Sequence, residues 1–317
     1  MNLLQAVILG LVEGITEYLP ISSTGHLILV SALLGLDTPD VKDSVDAFNI
    51  VIQGGAILAV LGLYWPRVVA MLRGLIGRDA AGLKLAINII VAFLPAAVLG
   101  VLLDETIGEY LFHPVPVVAA LALGGIWMIG IDVWYKKRTR HSRARGNPAT
   151  AGESGELDAR LRGHDERDAI DLRPESDTAG APGTIESLTI VQALMIGLFQ
   201  CVAMWPGTSR SMMTIAGGMM LGLKPRQAAE FSFLLGLPTL GGACVYKAMK
   251  NTDELAALGL GPILVGTLVA AISAALAVRW LVAFLNRHGL TAFGVYRLIL
   301  AAAFAALALA GLINLAA

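Results

Sequence analysis

Hydrophobic positions dominate long stretches of this chain. Segments of about 20 apolar residues, the length needed to cross a bilayer, are predicted near 46–65, 86–104, 114–135, 229–248, 258–280 and 290–315. Two further apolar regions, 1–34 and 186–222, break in the middle at LPISSTG and WPGTSRS. Pro removes a helix donor and Gly and Ser favour turns, so each region is predicted to form two short helices joined by a non-helical tip. Bare backbone at membrane depth survives only where protein or a polar cavity covers it, so both regions read as re-entrant hairpins with buried tips. The expected fold is an all-α polytopic membrane protein with six transmembrane helices and two re-entrant helical hairpins.

Composition agrees with an integral membrane protein: 56% of residues are hydrophobic and only 15% are charged. The first apolar run has no basic residue before it and is interrupted by Glu13 and Glu17, so it is expected to be retained rather than cleaved as a signal peptide. Cys201 and Cys244 lie in apolar stretches without a metal-ligand spacing and read as packing residues. The placement of Lys and Arg suggests an orientation. With 1–45 outside, Arg67, Arg73, Arg78 and Lys84 fall inside, as do the ten basic residues of 136–184 and Lys224, Arg226, Arg279 and Arg287. Lys42, Lys247 and Lys250 fall outside, beside the acidic turn of Asp104, Glu105 and Glu109.

Three spans after each hairpin mean that the second half enters from the opposite side, which predicts an inverted repeat. Residues 1–135 form the first repeat, 136–184 a flexible cytoplasmic loop rich in charge, Gly and Pro, and 185–317 the second repeat. LVEGITEYLPISSTGH and LFQCVAMWPGTSRS share an apolar pair, a Glu or Gln, a Pro and a Gly/Ser/Thr tip. In membrane proteins built this way the site lies where the broken segments meet.

The polar residues of the two tips carry the chemistry. Glu13 and Glu17 are four apart and share a helical face. Ionisable groups inside a membrane are expensive unless they are paired or functional. Ser22, Ser23 or Thr24 can cap the helix that carries His26. In the second tip, Arg210 stands among hydroxyls at the start of a helix, where N–H donors and a guanidinium together suit an oxyanion. A salt bridge to Glu17 is the competing role, and the two can alternate. Hydroxyl, histidine, carboxylates and arginine converging in one place are the parts needed to break a phosphate ester or anhydride. Asn49, Gln53 and Asn88 read as interhelical hydrogen-bonders. Glu230 reads as opening a helix, and Arg297 as binding a carbonyl or carboxylate of the opposite repeat. Gly217, Gly218, Gly222, Gly236, Gly241 and Gly242 suit close helix contact.

EGITEYLPISSTGHLIL and FQCVAMWPGTSRS resemble the two signature motifs of the BacA/UppP family of bacterial undecaprenyl-diphosphate phosphatases. FNIVIQGGAILAV (48–60), EFSFLLGLP (230–238) and FGVYRLIL (293–300) resemble it too, so the similarity covers nearly everything except 138–184. Met212 stands where the family is expected to have Gly. The resemblance implies hydrolysis of undecaprenyl diphosphate to the monophosphate, recycling the lipid carrier of cell-wall precursors and conferring bacitracin tolerance. It implies a plasma-membrane enzyme whose site opens to the periplasmic or extracellular face and uses a divalent cation, Mg²⁺ or Ca²⁺. Ser23 would be the nucleophile, Glu17 and His26 the acid/base candidates, and Arg210 the holder of phosphoryl oxygens. Glu13, with Glu17, would hold the cation. Ser22, Thr24, Gln200, Thr208, Ser209 and Ser211 would hydrogen-bond the diphosphate. Attack by water, with Ser23 only binding phosphate, stays open, as does the choice between Glu17 and His26 as base.

The partners implied are a polyprenyl diphosphate and membrane lipids, with no nucleic acid; a homodimer is left open. Inverted repeats with broken helices are also transporter architecture, so a lipid-phosphate flippase or secondary transporter is the alternative. The membrane acid phosphatases that recycle the same lipid are set aside, because their second motif needs a His where Ala216 stands after Arg210.

Overall fold

The computed structural model describes residues 1–111, 114–145, 183–250 and 252–310. Among these, every regular element is helical: α1 (Leu3–Thr16), α2 (Ser23–Leu33), α3 (Pro39–Leu63), α4 (Trp65–Leu75), α5 (Ala80–Leu111) and α6 (Pro114–Arg145) come first. A 3₁₀ turn (Ile185–Ser187) leads into α7 (Ile190–Val202), α8 (Arg210–Met220), α9 (Pro225–Lys250), α10 (Thr252–Leu258), α11 (Leu260–Arg287) and α12 (Thr291–Leu309). Among the described residues, six stretches are long and apolar enough to cross a membrane: Asp43–Leu63, Ala80–Leu103, Val115–Thr139, Pro225–Lys250, Leu260–Arg287 and Thr291–Leu309. All six expected spans are present, each with its ends moved by a few residues. The chain is a multi-pass membrane protein.

Both broken regions begin with the same device. Asn2 and Thr189 each accept from the backbone N–H three residues on, while Gln5 and Gln192 reach back to the cap's own N–H. Both end their first helix before a tip, and both restart at a serine N-cap of positive φ, Ser22 at 74° and Ser209 at 77°. Asn2 and Thr189, Gln5 and Gln192, Gly10 and Gly197, Ser22 and Ser209, and Leu33 and Met220 all stand at one constant separation. Each half then follows its broken region with a long helix, a short one and two more long ones.

Packing repeats this correspondence. Helix α1 lies against α11, and their counterparts in the opposite halves, α7 and α5, lie against each other in the same way. Glycines set both approaches: a Cβ on Gly10 would stand 2.5 Å from Gly266 O, and one on Gly197 would stand 2.3 Å from Ala92 O. Neither backbone tolerates a side chain there. Helices α3 and α9 meet each other, as do α6 and α12, so each long helix of one half faces the other half.

Several details depart from the sequence reading. Helix α6 continues to Arg145, so the first part of the segment read as loop is helical; Lys and Arg are good helix formers, and the bilayer does not decide where a helix stops. Residues 146–182 of that segment lie outside the described residues, as do 311–317 at the end of the last expected span. Glu230 does not open a helix. It sits inside α9, nearly buried, and accepts from Arg67 Nε at 2.8 Å, while Arg67 Nη1 binds Glu186 at 2.6 Å. With Lys84 Nζ on Glu186 O (2.7 Å) and Arg138 on Met220 O (3.3 Å), these contacts gather the basic segments at one end of the molecule.

Candidate active site

Glu17 is the C-cap of α1 and lies at the negative end of that helix, where a carboxylate is disfavoured. Three donors offset this. Ser23 Oγ donates to Glu17 Oε2 at 2.6 Å and Gln53 Nε2 to the same oxygen at 3.3 Å, while Arg210 Nη2 donates to Oε1 at 3.2 Å. The two tips therefore meet in one ion pair, with both side chains more than nine-tenths removed from solvent.

Arg210 is the first residue of α8, and α9 receives its guanidinium. Nη1 donates to Ser232 O at 2.9 Å, the Tyr18 ring lies 5.4 Å from Cζ, and Nε is buried without a partner. A side chain at Gly236 would crowd this group, since its Cβ would stand 3.0 Å from Nη1. That glycine makes room for a charge rather than for another helix. Thr214 and Ser232 join hydroxyls at 2.6 Å beneath it.

The tips are held together by their own polar groups. Ser22 Oγ accepts from Gly25 N and Ser209 Oγ from Met212 N, each 3.3 Å, so both serines cap while in a backbone region that costs about 1–3 kcal/mol for a non-glycine residue. Ser211 Oγ lies 3.0 Å from Ser209 Oγ and donates to Leu19 O at 2.9 Å, which fastens the second tip to the first. Arg297 is fully buried and donates to the carbonyls of Gly207 and Ala120 (2.9 Å each) and Leu121 (3.3 Å), linking the second tip to α6.

Glu13 is completely buried one turn before Glu17, and neither of its carboxylate oxygens has a hydrogen bond, although Gln53 and Arg210 face it. Gln200, its counterpart in α7, is 3% exposed and has an unpartnered Nε2; its Oε1 accepts from Thr239 at 3.4 Å. Buried polar atoms are nearly always partnered, so the orphaned Glu13 oxygens, with the unpartnered Tyr18 hydroxyl and Arg210 Nε nearby, mark a place where something else can bind. Glu13, whose two carboxylate oxygens are both unpartnered, stands beside the carboxylate of Glu17, and such a pair suits a hard divalent cation such as Mg²⁺ or Ca²⁺ once Glu17 exchanges one of its donors. Thr208 is buried in the second tip, and Thr24 is half-buried in the first turn of α2.

His26 stands apart from this cluster. Nδ1 meets Ser22 O at 2.7 Å and Nε2 meets the Tyr296 hydroxyl at 2.8 Å. Met212, at the position where Gly is expected, is buried in the apolar core that also holds Tyr18, Leu19 and Ile21, and its backbone N–H donates to Ser209 Oγ.

A family model described as "Bacitracin resistance protein BacA" matches residues 6–303. The chain belongs to the BacA family. Curated relatives of this BacA-family chain include an undecaprenyl-diphosphatase of Sorangium cellulosum, 41% identical over 94% of this chain and 84% of the relative. Proteins of the same name from Polaromonas naphthalenivorans and a further Polaromonas strain are 41% and 39% identical, over 93% and 98% of this chain and 91% and 97% of the relatives.

The sequence reading of this BacA-family site passed over Gln53, Ser232, Gly236 and Tyr296. Gln53 was placed among the interhelical hydrogen-bonders; its spacing from Glu17 gives no sign that α3 crosses beside the first tip. Asn88 instead donates to Leu188 O at 3.2 Å, in the connection that leads into α7 rather than in a helix, whereas Arg297 binds carbonyls of the opposite half as expected.

Proposed function

We propose that this chain hydrolyses undecaprenyl diphosphate to undecaprenyl phosphate and inorganic phosphate where the two tips meet. The observation that carries this reading is Glu17, which holds the Ser23 hydroxyl on one oxygen and the Arg210 guanidinium on the other. The names borne by the relatives support the same substrate.

Ser23 Oγ attacks the terminal phosphorus while its proton passes to Glu17 Oε2. The bond from that phosphorus to the bridging oxygen breaks, and Glu17 returns the proton to the departing lipid monophosphate. As a carboxylate again, Glu17 takes a proton from the water that attacks the phosphoserine, the bond from Ser23 Oγ to phosphorus breaks, and Glu17 returns that proton to Ser23 Oγ as inorganic phosphate leaves. Arg210 exchanges Glu17 for the phosphoryl oxygens, aided by the N–H groups that begin α2 and α8. Gln200 Nε2, Thr24 and Thr208 supply further hydrogen bonds to the diphosphate, and Ser22, Ser209 and Ser211 shape the tips. Glu13, with Glu17 beside it, would hold a divalent cation, which supplies neutralisation of the diphosphate charge when bound.

The reaction regenerates a lipid carrier for cell-wall synthesis and removes the diphosphate that bacitracin sequesters. The hairpins are re-entrant, the halves form an inverted repeat, and the enzyme sits in the bacterial plasma membrane. The tips open to the periplasmic side, and the basic end faces the cytoplasm. The test is phosphate release from undecaprenyl diphosphate by purified protein in detergent. Turnover that EDTA abolishes and a divalent cation restores is expected, with a trappable phosphoserine at Ser23. Full activity in Ser23→Ala would replace the covalent route with direct attack by water, and no turnover by folded wild type would remove the phosphatase reading. The matched hairpins favour flipping of the lipid phosphate as the second reading, to be checked in liposomes.

A further inference from the structure

Tyr296 and Arg297 are consecutive on α12, and each is tied to a different tip. Arg297 holds Gly207 of the second tip, and the Tyr296 hydroxyl lies 2.8 Å from His26 Nε2, next to the first. The Tyr296 ring also stacks on the imidazole, with centroids 5.7 Å apart and planes 3° from parallel. On the other side of that ring, Nδ1 is 2.7 Å from Ser22 O. A carbonyl only accepts, so Nδ1 carries the proton; the neutral ring then accepts at Nε2, and Tyr296 donates. Both nitrogens are used, so the imidazole makes no hydrogen bond to Ser23, whose hydroxyl is on Glu17.

Ser22 is the residue this chain restrains. Its φ of 74° is unfavourable for a side chain, and such a conformation persists only where the surroundings over-determine it. Its hydroxyl is fixed by Gly25 N and its carbonyl by His26, and the next residue is Ser23. We propose that Tyr296 is a positioning residue, which acts through His26 to hold Ser22 and so keeps the Ser23 hydroxyl on Glu17. With Arg297 it makes α12 a brace that sets both tips in register. The proposal rests on the phosphatase reading, because the hydroxyl it positions is the nucleophile of that reaction.

Tyr296→Phe keeps the ring and removes only the donor. In the purified full chain, kcat on undecaprenyl diphosphate is expected to fall about tenfold, the rate equivalent of one ordinary hydrogen bond, with KM little changed. Separately from activity, ¹⁵N NMR of histidine-labelled protein should show one imidazole with a protonated Nδ1 and a bare Nε2, absent from His26→Gln and with its Nε2 resonance shifted in Tyr296→Phe. An unchanged kcat in Tyr296→Phe or a His26 protonated at Nε2 would overturn the proposal. Wild type that shows the expected His26 signature but releases no phosphate would bring down the phosphatase reading and leave the brace itself standing.

Discussion

Glu17 shows how one residue can be both costly and useful. It stands at the wrong end of a helix, is buried, and is made tolerable by Ser23, Gln53 and Arg210. Removing one donor therefore changes the others. Gln53→Leu should leave the fold intact and lower kcat about tenfold or more, because a hydrogen bond to a charged group is worth about 1.5–3 kcal/mol; rates close to wild type would confine Gln53 to helix packing. The acidic pair, the hydroxyl tip and Arg210 were readable in the sequence because ionisable residues in apolar stretches are rare. Gln53, Ser232 and Tyr296 were not, since an amide, a hydroxyl or a phenol in a helix is ordinary. Only the crossing of α3, α9 and α12 beside the tips gives them a task.

The elements were more legible than their ends. Long apolar runs and Pro/Gly/Ser interruptions are local signals, and all six spans and both breaks follow from them. Where α6 stops, and that α4 and α10 form at all, depends on water and on neighbours rather than on the apolar pattern. Glycines are similarly ambiguous until the partner is known: Gly236 accommodates a guanidinium and Gly197 a backbone carbonyl. Gly197→Leu should force α7 from α5 and cost about 1–3 kcal/mol or more, the usual range for overpacking. The expected result is a lower melting temperature in detergent, whereas Gly62→Ala, with nothing near its Cβ, should melt like wild type. Equal melting of the two would show that the approach of α7 to α5 is not as close as described.

At the scale of the molecule, the two halves are joined at the tips and at the basic end. Arg67 carries the second connection, holding Glu186 and Glu230 of the other half. Burial alone would lower its pKa, but the two carboxylates outweigh that and hold it above the usual arginine value. Replacing it strands two partly buried acids, so Arg67→Met should lower thermal stability while leaving kcat within a few-fold of wild type. Loss of activity without loss of stability would instead tie this end to the chemistry. The constant spacing of the two broken regions, each with its capping box and strained serine, is what brings Glu17 of one half to Arg210 of the other. One site made from both halves is the central claim, and a double-mutant cycle on phosphate release tests it most directly. Glu17→Gln, Arg210→Ala and the double variant should each lose nearly all turnover, the pair losing far less than the product of the single losses. Losses that multiply, or an Arg210→Ala protein that turns over normally, would contradict a shared site.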